Sequence, residues 1–488
     1  MDKSARPSAA PERLTPTERP TTPQRLLASP LSRRRFLKGT AAAGASAALA
    51  ACTPAASTSP SPTSPPAGST GPSAPASQAP TFSLDRPLKV LLANHTGFYA
   101  MVTPEWEQRT GAKVEFTREA FGPLPLKLTP AFESGGESWD VAYLWRAWVD
   151  LYEKYLTPLE ELGHTVDESD MLPVAVEAAK SASGKWYGLP SNVYTYILYC
   201  NKKMFADAGV AIPKTYTEFV AAAKKFTSGD QFGYVDGWAP LYLFPKWCVW
   251  YHLNGGDLYG PNGEVRFNDP VAIKATQDMI DLLPTMPKEV IESPWGIYDV
   301  EAKKVFLGGK AAMIIDYQHI WYEARDPSLS ALGDDPVEVA VIPGYGGNLP
   351  ASGGQFVGEC FGIPKTSPYK EAALDLIKHY SNAATQLGLL TRREELHSFE
   401  PADESGYPSY VSPYTDASIP AADQKAVEVT FAQQEFKGNR YGTRAAYQKI
   451  SDVVEAAVSA ALHGADPAAE HKKAQDEIDA YLAANPGF

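Results

Sequence analysis

Cysteine is scarce in this chain, with only four in 488 residues, and the common sequence signatures of catalysis are missing. So few cysteines exclude a disulfide framework. No HExxH, GxxxxGK(S/T), GxSxG or CxxC motif occurs, and the eight histidines show no metal-ligand spacing. No apolar run reaches the roughly 20 residues that span a bilayer. We therefore predict a protein that is not an enzyme and that carries no cofactor and no metal.

The charge balance is acidic. The formal net charge is −13 at pH 7, although residues 1–51 hold nine basic residues against three acidic ones. The rest of the chain is therefore more acidic than the total, and it repels nucleic acid and other polyanions. The length suffices for two core-forming lobes. A small neutral or cationic ligand suits this surface better than a polyanion.

The first 51 residues have the layout of an export signal. Ser32–Lys38 reads S-R-R-R-F-L-K, and a short, weakly apolar stretch, Gly39–Ala51, follows it. This run resembles twin-arginine export signals, which implies that the protein folds before it is translocated. Leu49–Cys52 (L-A-A-C) resembles the bacterial lipobox, which implies a lipid on the thiol of Cys52. We expect an extracytoplasmic protein that is anchored to the cell membrane through Cys52.

Residues 52–85 are predicted to be a disordered tether. Apart from Gln78, the stretch Thr53–Pro80 contains only Pro, Ser, Ala, Thr and Gly. Such a segment has no apolar pattern from which to build a core. We expect it to act as a coil between the lipid and the folded body.

The body, from residue 86, alternates short strands with capped helices. Strands are predicted at 88–92, 114–116 and 141–144. Helix starts are predicted at a capping box and wherever an N-cap residue precedes proline: Thr215–Glu218, Thr103-Pro104, Asp269-Pro270, Ser367-Pro368 and Asp466-Pro467. Gly111 is predicted to end the helix that follows Thr103. This alternation favours an α/β architecture with mainly parallel sheets, whose ligands bind at the carboxyl ends of strands.

Two segments, one after Ser367-Pro368 and one from Tyr447, carry an apolar stripe on one helical face. The residues of the two stripes are Ala372, Ala373, Leu376, Ile377 and Tyr380, and then Tyr447, Ile450, Val454, Ala457 and Ala461.

Seven short motifs, taken in order, resemble the extracellular solute-binding proteins of sugar ABC importers, the maltose-binding-like group. The motifs are Ser138–Val141, Tyr155–Leu159, Gly184–Pro190, Tyr199–Phe205, Pro213–Tyr216, Phe306–Met313 and Phe361–Lys365. The chain departs from the family pattern at Cys200 and Tyr216, where the family has Tyr and Trp. The resemblance implies a type II periplasmic-binding-protein fold, in which two α/β lobes meet at a hinge.

The resemblance also implies how the chain is divided and what it does. The expected N-terminal lobe is 86–192 plus 357–400, and the expected C-terminal lobe is 196–343 plus 420–488. The expected crossings are 191–196, 343–358 and 400–420. The chain would act as a monomer that binds a mono- or oligosaccharide in the cleft between the lobes and delivers it to the ABC permease.

Sugar chemistry indicates which side chains would form the site, because flat rings stack on pyranose faces while polar groups bond the hydroxyl rim. Trp145 and Trp148 come first, since they follow the strand at 141–144. The other expected ligand contacts follow early strands, lie at the crossings or belong to the second lobe: Asn94, His95, Glu119, Tyr194, Tyr196, Trp238, Trp247, Trp250, Asp316, Tyr317, Trp321, Gly354, Gln355 and Arg392. Arg392 departs from the family pattern, because Leu390 stands where the family has Pro.

Other functions stay open at this point. A polyamine site needs several carboxylates between aromatic rings. A ferric site needs adjacent tyrosines, whereas Tyr194 and Tyr196 are two residues apart. An exported carbohydrate-active enzyme needs two carboxylates roughly 5–10 Å apart in its cleft. A surface adhesin or sensor could use the same fold. Cys200, Cys248 and Cys360 lie in apolar runs and are expected to be buried free thiols.

Overall fold

Eight strands form one continuous sheet in the computed structural model, which describes residues 80–136, 139–239, 242–260, 264–289, 299–354, 356–401, 404–434 and 446–485. The strands are β1 (Leu88–Ala93), β2 (Val114–Glu119), β3 (Val141–Trp145), β4 (Gly188–Asn201), β5 (Met313–Tyr317), β6 (Val337–Ala340), β7 (Phe356–Gly362) and β8 (Tyr407–Pro408). The three predicted strands are confirmed as β1, β2 and β3.

Helices cover both halves of this sheet. They are α1 (Gly97–Thr110), α2 (Leu124–Glu133), α3 (Arg146–Tyr152), α4 (Pro173–Ala179), α5 (Lys202–Asp207), α6 (Tyr216–Phe226), α7 (Leu243–Leu253), α8 (Pro270–Leu282), α9 (Asp299–Leu307), α10 (Ile320–Glu323), α11 (Lys370–Tyr380), α12 (Ala383–Thr391), α13 (Arg393–Phe399), α14 (Gln424–Gln433), α15 (Tyr447–Leu462) and α16 (Pro467–Ala484). Short 3-10 helices are Glu153–Tyr155, Leu159–Leu162, Leu283–Thr285 and Ser412–Thr415.

The sheet changes from parallel to antiparallel along its width. The strand order is β2-β1-β3-β7-β4-β5, and β6 and β8 both pair with β4. Strand β1 is parallel to β2 and β3, whereas β4 and β7 are antiparallel to every strand they pair with. The prediction of mainly parallel sheets is therefore wrong beyond β3. The reason is that β4 leaves the first half of the molecule and β7 returns to it in the opposite direction.

Strand β4 joins two buried cores. Its first half pairs with β7 up to Thr195, and its second half pairs with β5 from Tyr196 onward. Tyr194 belongs to the first core, which is built from residues within 88–194 and 357–410. Tyr196 belongs to the second core, which is built from residues within 196–342 and 426–478. A single strand therefore carries the chain from one core to the other within two residues, and the lobe limits given above stay a prediction.

The end of α14 contacts two of the connecting segments. Gln433 Oε1 accepts a hydrogen bond from the Ile342 amide at 2.7 Å, and its Nε2 donates to the Gly353 carbonyl at 3.2 Å. The next residue, Gln434, donates from Nε2 to Thr195 Oγ1 at 3.1 Å. Two adjacent amide side chains thus hold both β4 and the segment before β7 in place.

Most of the predicted helix signals are confirmed. The capping box at Thr215 and Glu218 has both of its hydrogen bonds, and Asp269 and Asp466 cap α8 and α16. Gly111 ends α1 with a positive φ of 77°. The residues of both predicted stripes are buried.

Two predicted helix starts are wrong. Helix α1 begins at Gly97 and runs through Pro104, and the Thr103 hydroxyl donates to the Tyr99 carbonyl at 2.6 Å. Helix α11 begins only at Lys370. Ser367 lies before this helix, where its hydroxyl donates to Asp140 Oδ1 at 2.7 Å and accepts from the Tyr369 amide at 3.2 Å.

Cys200, Cys248 and Cys360 are buried and lie outside any disulfide, as predicted. Within the described residues, no helix has both the length and the apolar composition that a membrane crossing requires. The predicted signal, Cys52 and nearly all of the tether lie outside the described residues, and so does Gln355.

Candidate functional site

Aromatic rings gather where β1, β2 and β3 end. His95 follows β1, Phe121 follows β2, and Trp145 is the last residue of β3. Phe121 stacks on Trp148 with ring centroids 5.4 Å apart, and it meets Trp145 edge-on at 6.0 Å. His95 meets Phe121 edge-on at 5.5 Å. These four rings, which we call the ring cluster, occupy the sheet edge at which α/β proteins bind ligands.

Glu359 organises the polar side of the ring cluster. Its carboxylate accepts from Asn192 Nδ2 at 2.9 Å, lies 3.0 Å from His95 Nε2, and accepts from the Tyr143 hydroxyl. Since a carboxylate only accepts, Nε2 of His95 carries the proton. Burial, with the charge of Glu359, raises the pKa of Tyr143 well above its usual value, so its hydroxyl stays a donor. One carboxylate thereby fixes His95, Tyr143 and Asn192 in orientation.

Two buried polar atoms of this site are left over. Trp145 Nε1 is a donor and Asn192 Oδ1 is an acceptor, and neither has a hydrogen-bond partner among the described residues. A buried polar atom without a partner costs roughly 1–3 kcal/mol. Trp145 is paired with Glu359 across β3 and β7, and Asn192 bonds to that same carboxylate. A ligand with hydroxyl groups could satisfy both atoms at once.

From the second core, Tyr317 contacts two tyrosines in the middle of β4. Tyr317, at the end of β5, stacks on Tyr196 with centroids 4.2 Å apart and meets Tyr194 edge-on at 5.4 Å. The next side chain, Gln318, donates to the Val193 carbonyl at 2.9 Å and accepts from the Thr195 amide at 3.0 Å. The polypeptide after β5 is therefore bonded directly to the middle of β4.

Tyr196 is already engaged on its other face. Lys246 Nζ lies 4.1 Å from the centre of the Tyr196 ring, donates to the Ile315 carbonyl at 2.6 Å and forms a buried ion pair of 2.7 Å with Asp236. Burial raises the pKa of Asp236, although Lys246 opposes the change. The Tyr196 ring is thus sandwiched between Lys246 and Tyr317.

The segment before β8 carries Glu404, whose carboxylate lies near His319, Lys303 and His95. Burial by itself would raise the pKa of Glu404, but the charges of His319 and Lys303, with a smaller contribution from His95, lower it to about 2. The Glu404 side chain is still 39% exposed. The next residue, Ser405, lies against the His95 carbonyl, with Oγ at 3.3 Å. Glu404 is therefore a charged group that water reaches, close to residues of both cores.

Comparison with known families identifies this arrangement. The model of the bacterial extracellular solute-binding proteins matches residues 92–387, which is more than half of the chain. The chain belongs to this family. A model of the twin-arginine translocation pathway signal matches residues 30–50, so this family member is an exported, extracytoplasmic protein.

The chain spans about half or less of the length of the curated relatives it matches. It is 28% identical over 222 residues to the probable amino-acid ABC transporter periplasmic-binding protein y4oP of Sinorhizobium fredii, covering 43% of this chain and 51% of the relative. It is also 28% identical over 167 residues to the sn-glycerol-3-phosphate-binding periplasmic protein UgpB of Brucella abortus, covering 32% and 37%.

Solved structures of solute-binding proteins are similar in fold over most of this chain. An ABC transporter solute-binding protein from Agrobacterium radiobacter K84 in complex with ribitol is 25% identical, with a TM-score of 0.65, covering 81% of this chain and 98% of that one. Maltose-bound MalE3 of T. maritima is 22% identical, with a TM-score of 0.69, covering 81% and 100%. The predicted α/β, two-lobed periplasmic-binding-protein fold is confirmed.

The solute-binding fold places the predicted ligand contacts in different surroundings. A chain of ring contacts joins five of them: Trp145 and Trp148 contact Phe121, which contacts His95, and His95 contacts Tyr194, which contacts Tyr317. Asn94 is exposed nearby, and its carbonyl accepts from Arg118 at 3.0 Å. Glu119 forms an ion pair with Lys127. Asp316 is buried and accepts from the Tyr317 amide at 2.7 Å. Gly354 is buried just before β7.

Other predicted contacts are part of the second core or of the surface. Trp247 is fully buried and donates from Nε1 to Thr276 Oγ1 at 2.9 Å. Trp238 and Trp250 belong to the same core. Trp321 donates to Asp423 at 2.8 Å. Arg392 forms ion pairs with Glu105 at 2.8 Å and Glu395 at 2.7 Å. The structure does not bring Trp247, Trp250 or Arg392 to the ring cluster.

Several residues of the site escape the sequence analysis. Phe121 stands two residues after Glu119, so the strand-end rule could have found it. Tyr143 shares a strand face with Trp145, because side chains two apart on a strand point the same way. Asn192 and Glu359 carry no signal of their own, since only the pairing of β4 and β3 with β7 makes them neighbours.

Proposed function

We propose that this chain is the extracytoplasmic solute-binding subunit of an ABC importer, and that it binds a neutral sugar or polyol between its lobes. Membership of the solute-binding family supports the transport role. The ribitol complex at 25% identity supports the ligand class. In this role the protein carries out no chemistry on its ligand, acts as a monomer and passes the solute to the permease.

The observation that carries the proposal is the composition of the ring cluster. Phe121 is partly exposed and stacks on the buried Trp148, while Trp145 Nε1 and Asn192 Oδ1 are a buried donor and a buried acceptor without partners among the described residues. A sugar or polyol has apolar C–H faces and hydroxyls that both donate and accept. Such a solute fits both requirements, and lobe closure would strengthen the new hydrogen bonds by excluding water.

The charges near the site argue for a ligand without a phosphate. Glu323, Glu359 and Glu404 lie around this region, and Lys303 already pairs with two of them at 2.8 Å. Lys303 is one ammonium against three carboxylates, so a phosphate would meet an excess of negative charge here. We therefore do not propose sn-glycerol 3-phosphate as the ligand, although one relative is named for binding it. We use this phosphate as a control ligand instead.

We also propose that a lipid on Cys52 anchors the protein to the cell membrane. The match to the twin-arginine signal ends at residue 50, directly before the lipobox-like Leu49–Cys52 is complete. The proline- and serine-rich stretch after Cys52 would let the folded body move while it stays attached to the membrane.

A thermal-shift screen of the exported protein tests the ligand class. The panel contains ribitol, mannitol, tagatose and maltose, with sn-glycerol 3-phosphate, spermidine and ferric citrate as alternatives. A solute at 100 times its Kd stabilises the folded state by about 2.7 kcal/mol. Stabilisation by a neutral polyol or sugar that is recovered unchanged supports the proposal. Stabilisation by the phosphate, polyamine or iron alone, or hydrolysis of the sugar, would overturn it.

A further inference from the structure

A second polar cluster lies where the segment before β8 meets the second core. It consists of His319, directly before α10, Glu323, the last residue of α10, and Glu404, which comes from a distant part of the chain. One ligand atom from each residue, an imidazole nitrogen or a carboxylate oxygen, lies within 4.8 Å of the other two. The sequence prediction of no metal site rests on spacing, and spacing cannot reveal residues so far apart in the chain.

His319 makes this cluster more than a group of acids. The residue is only 8% exposed, and its Nδ1 is buried without a hydrogen-bond partner. Oε2 of Glu323 is likewise buried and unpartnered. In the part of the chain that the structure describes, His319 forms no hydrogen bond with either carboxylate. An imidazole and two carboxylates therefore converge without bonding to one another.

The spacing of these atoms suits an ion. A divalent metal about 2.1 Å from each donor separates tetrahedral donors by roughly 3.4 Å. Donors within 4.8 Å of one another need to move only slightly to reach that geometry. Imidazole nitrogen and carboxylate oxygen are both ligand types that Zn²⁺ accepts, and three protein ligands leave the fourth tetrahedral position for water or a solute oxygen.

The ammonium of Lys303, in α9, already contacts both carboxylates of the cluster. Its Nζ donates to Glu323 Oε1 and to Glu404 Oε1, each at 2.8 Å. The flexible lysine stem lets this ammonium swing away when a stronger cation arrives.

We propose that His319, Glu323 and Glu404 form a binding site for one divalent transition-metal ion, which exchanges with the ammonium of Lys303. The bound ion would link the segment before β8 to α10 of the second lobe. Because the ligands are protein side chains, this inference does not depend on which solute the cleft binds.

Calorimetric titration of the full-length, detergent-solubilised protein with Zn²⁺, after treatment with EDTA, tests the site. We expect one saturable site at neutral pH. His319→Ala and Glu404→Gln should each weaken it roughly tenfold or more. Lys303→Met should tighten it roughly tenfold, because the competing ammonium is gone. The opposite signs of these effects distinguish a metal site from an ordinary ion-pair network.

The matched control is His397→Ala, since His397 is an exposed histidine that pairs with Asp326 at 3.2 Å. It should bind Zn²⁺ as the unmodified protein does. If His319→Ala does not fold, as judged by thermal unfolding, His319→Leu replaces it. The absence of saturable binding, unchanged affinity in the His319 variant, or weaker binding by Lys303→Met would each refute the site. The solute screen is unaffected by any of these outcomes, so the two proposals fail separately.

Discussion

The ring of Tyr317 stacks on the ring of Tyr196, with centroids 4.2 Å apart and planes 26° from parallel. Tyr196 is the first β4 residue of the second core, while Tyr317 packs against residues of both cores. This pair therefore lies where the two lobes join, next to the ring cluster. Side chains at such a position affect both solute contact and the angle between the lobes.

Removing the Tyr317 ring should weaken solute binding. Aromatic pairs contribute about 1 kcal/mol beyond their burial, so Tyr317→Ala should cost roughly fivefold in affinity or more. Tyr317→Phe keeps the stacked ring and is the matched control. Calorimetric titration with the solute identified in the screen measures both. Unaltered affinity in Tyr317→Ala would show that the ring is only a packing element.

Two tryptophan substitutions should separate binding from stability. Trp145→Phe removes an indole N–H that has no partner among the described residues, so we expect weaker solute binding with little change in unfolding. Trp247→Phe removes a donor to Thr276 inside the second core, so we expect destabilisation of about 1 kcal/mol with unchanged affinity. Urea unfolding and solute titration of both proteins check this. Weaker solute binding by Trp247→Phe would support the sequence prediction that Trp247 is a ligand contact.

Glu359→Gln should damage the site and the fold together. The carboxylate accepts from three neighbours, and an amide would present an N–H to at least one donor. We expect a loss of about 1–3 kcal/mol in the free energy of unfolding and a clear loss of solute affinity. Glu371→Gln, at an exposed position of α11, is the control. Equal behaviour of the two variants would contradict the role given to Glu359.

His471 should make the protein less stable in mild acid. It stacks on Phe267, bonds to the Phe267 carbonyl at 2.6 Å and lies 2.8 Å from Thr276, and burial lowers its pKa to about 4. The unfolded chain, with an ordinary histidine pKa near 6.5, takes up the proton first. Stability should therefore fall as the pH drops from about 6.5 to 4, by about 3 kcal/mol in total.

His471→Asn should lose this part of the pH dependence, since asparagine does not titrate. The exposed His397→Asn should keep it. Urea unfolding at several pH values between 4 and 7 compares the slopes. Parallel slopes for the unmodified protein and His471→Asn would mean that other groups cause the acid sensitivity.

Cys52→Ser should release the protein from the membrane, because serine has no thiol to receive the lipid. We expect the variant in the soluble extracytoplasmic fraction or in the medium, while Ser57→Ala in the tether stays with the membrane. Fractionation followed by immunodetection distinguishes these cases. Retention of Cys52→Ser in the membrane fraction would point to another anchor.

The sequence predicted the architecture better than it predicted the site. Predictions of helix starts are confirmed where the signal involves only neighbouring residues, as at the capping box of Thr215. They failed at Thr103, where the helix continues through proline while a side-chain hydroxyl bonds the carbonyl one turn back. The antiparallel half of the sheet was missed because strand direction depends on how the chain crosses between the cores.

Among the aromatic residues, position relative to a strand end was informative and residue type was not. Trp145 and Trp148 lie at or just after the end of a strand and belong to the ring cluster. Trp247 has the same chemistry, but its burial depends on Thr276 and on a helix near the chain terminus, which no local pattern reveals. Glu359 has no signal in the sequence, because strand pairing alone brings it to Trp145.

The three buried thiols can report separately on the opening of each of the two cores. Burial raises the pKa of Cys200 and of Cys360, so the reactive thiolate is scarce in the folded state. Cys360 belongs to the first core, and Cys200 and Cys248 belong to the second. Alkylation of each cysteine, followed by mass spectrometry, would time the opening of its own lobe. Equal rates would mean that the lobes unfold as one cooperative unit, and unequal rates would reveal which lobe opens first.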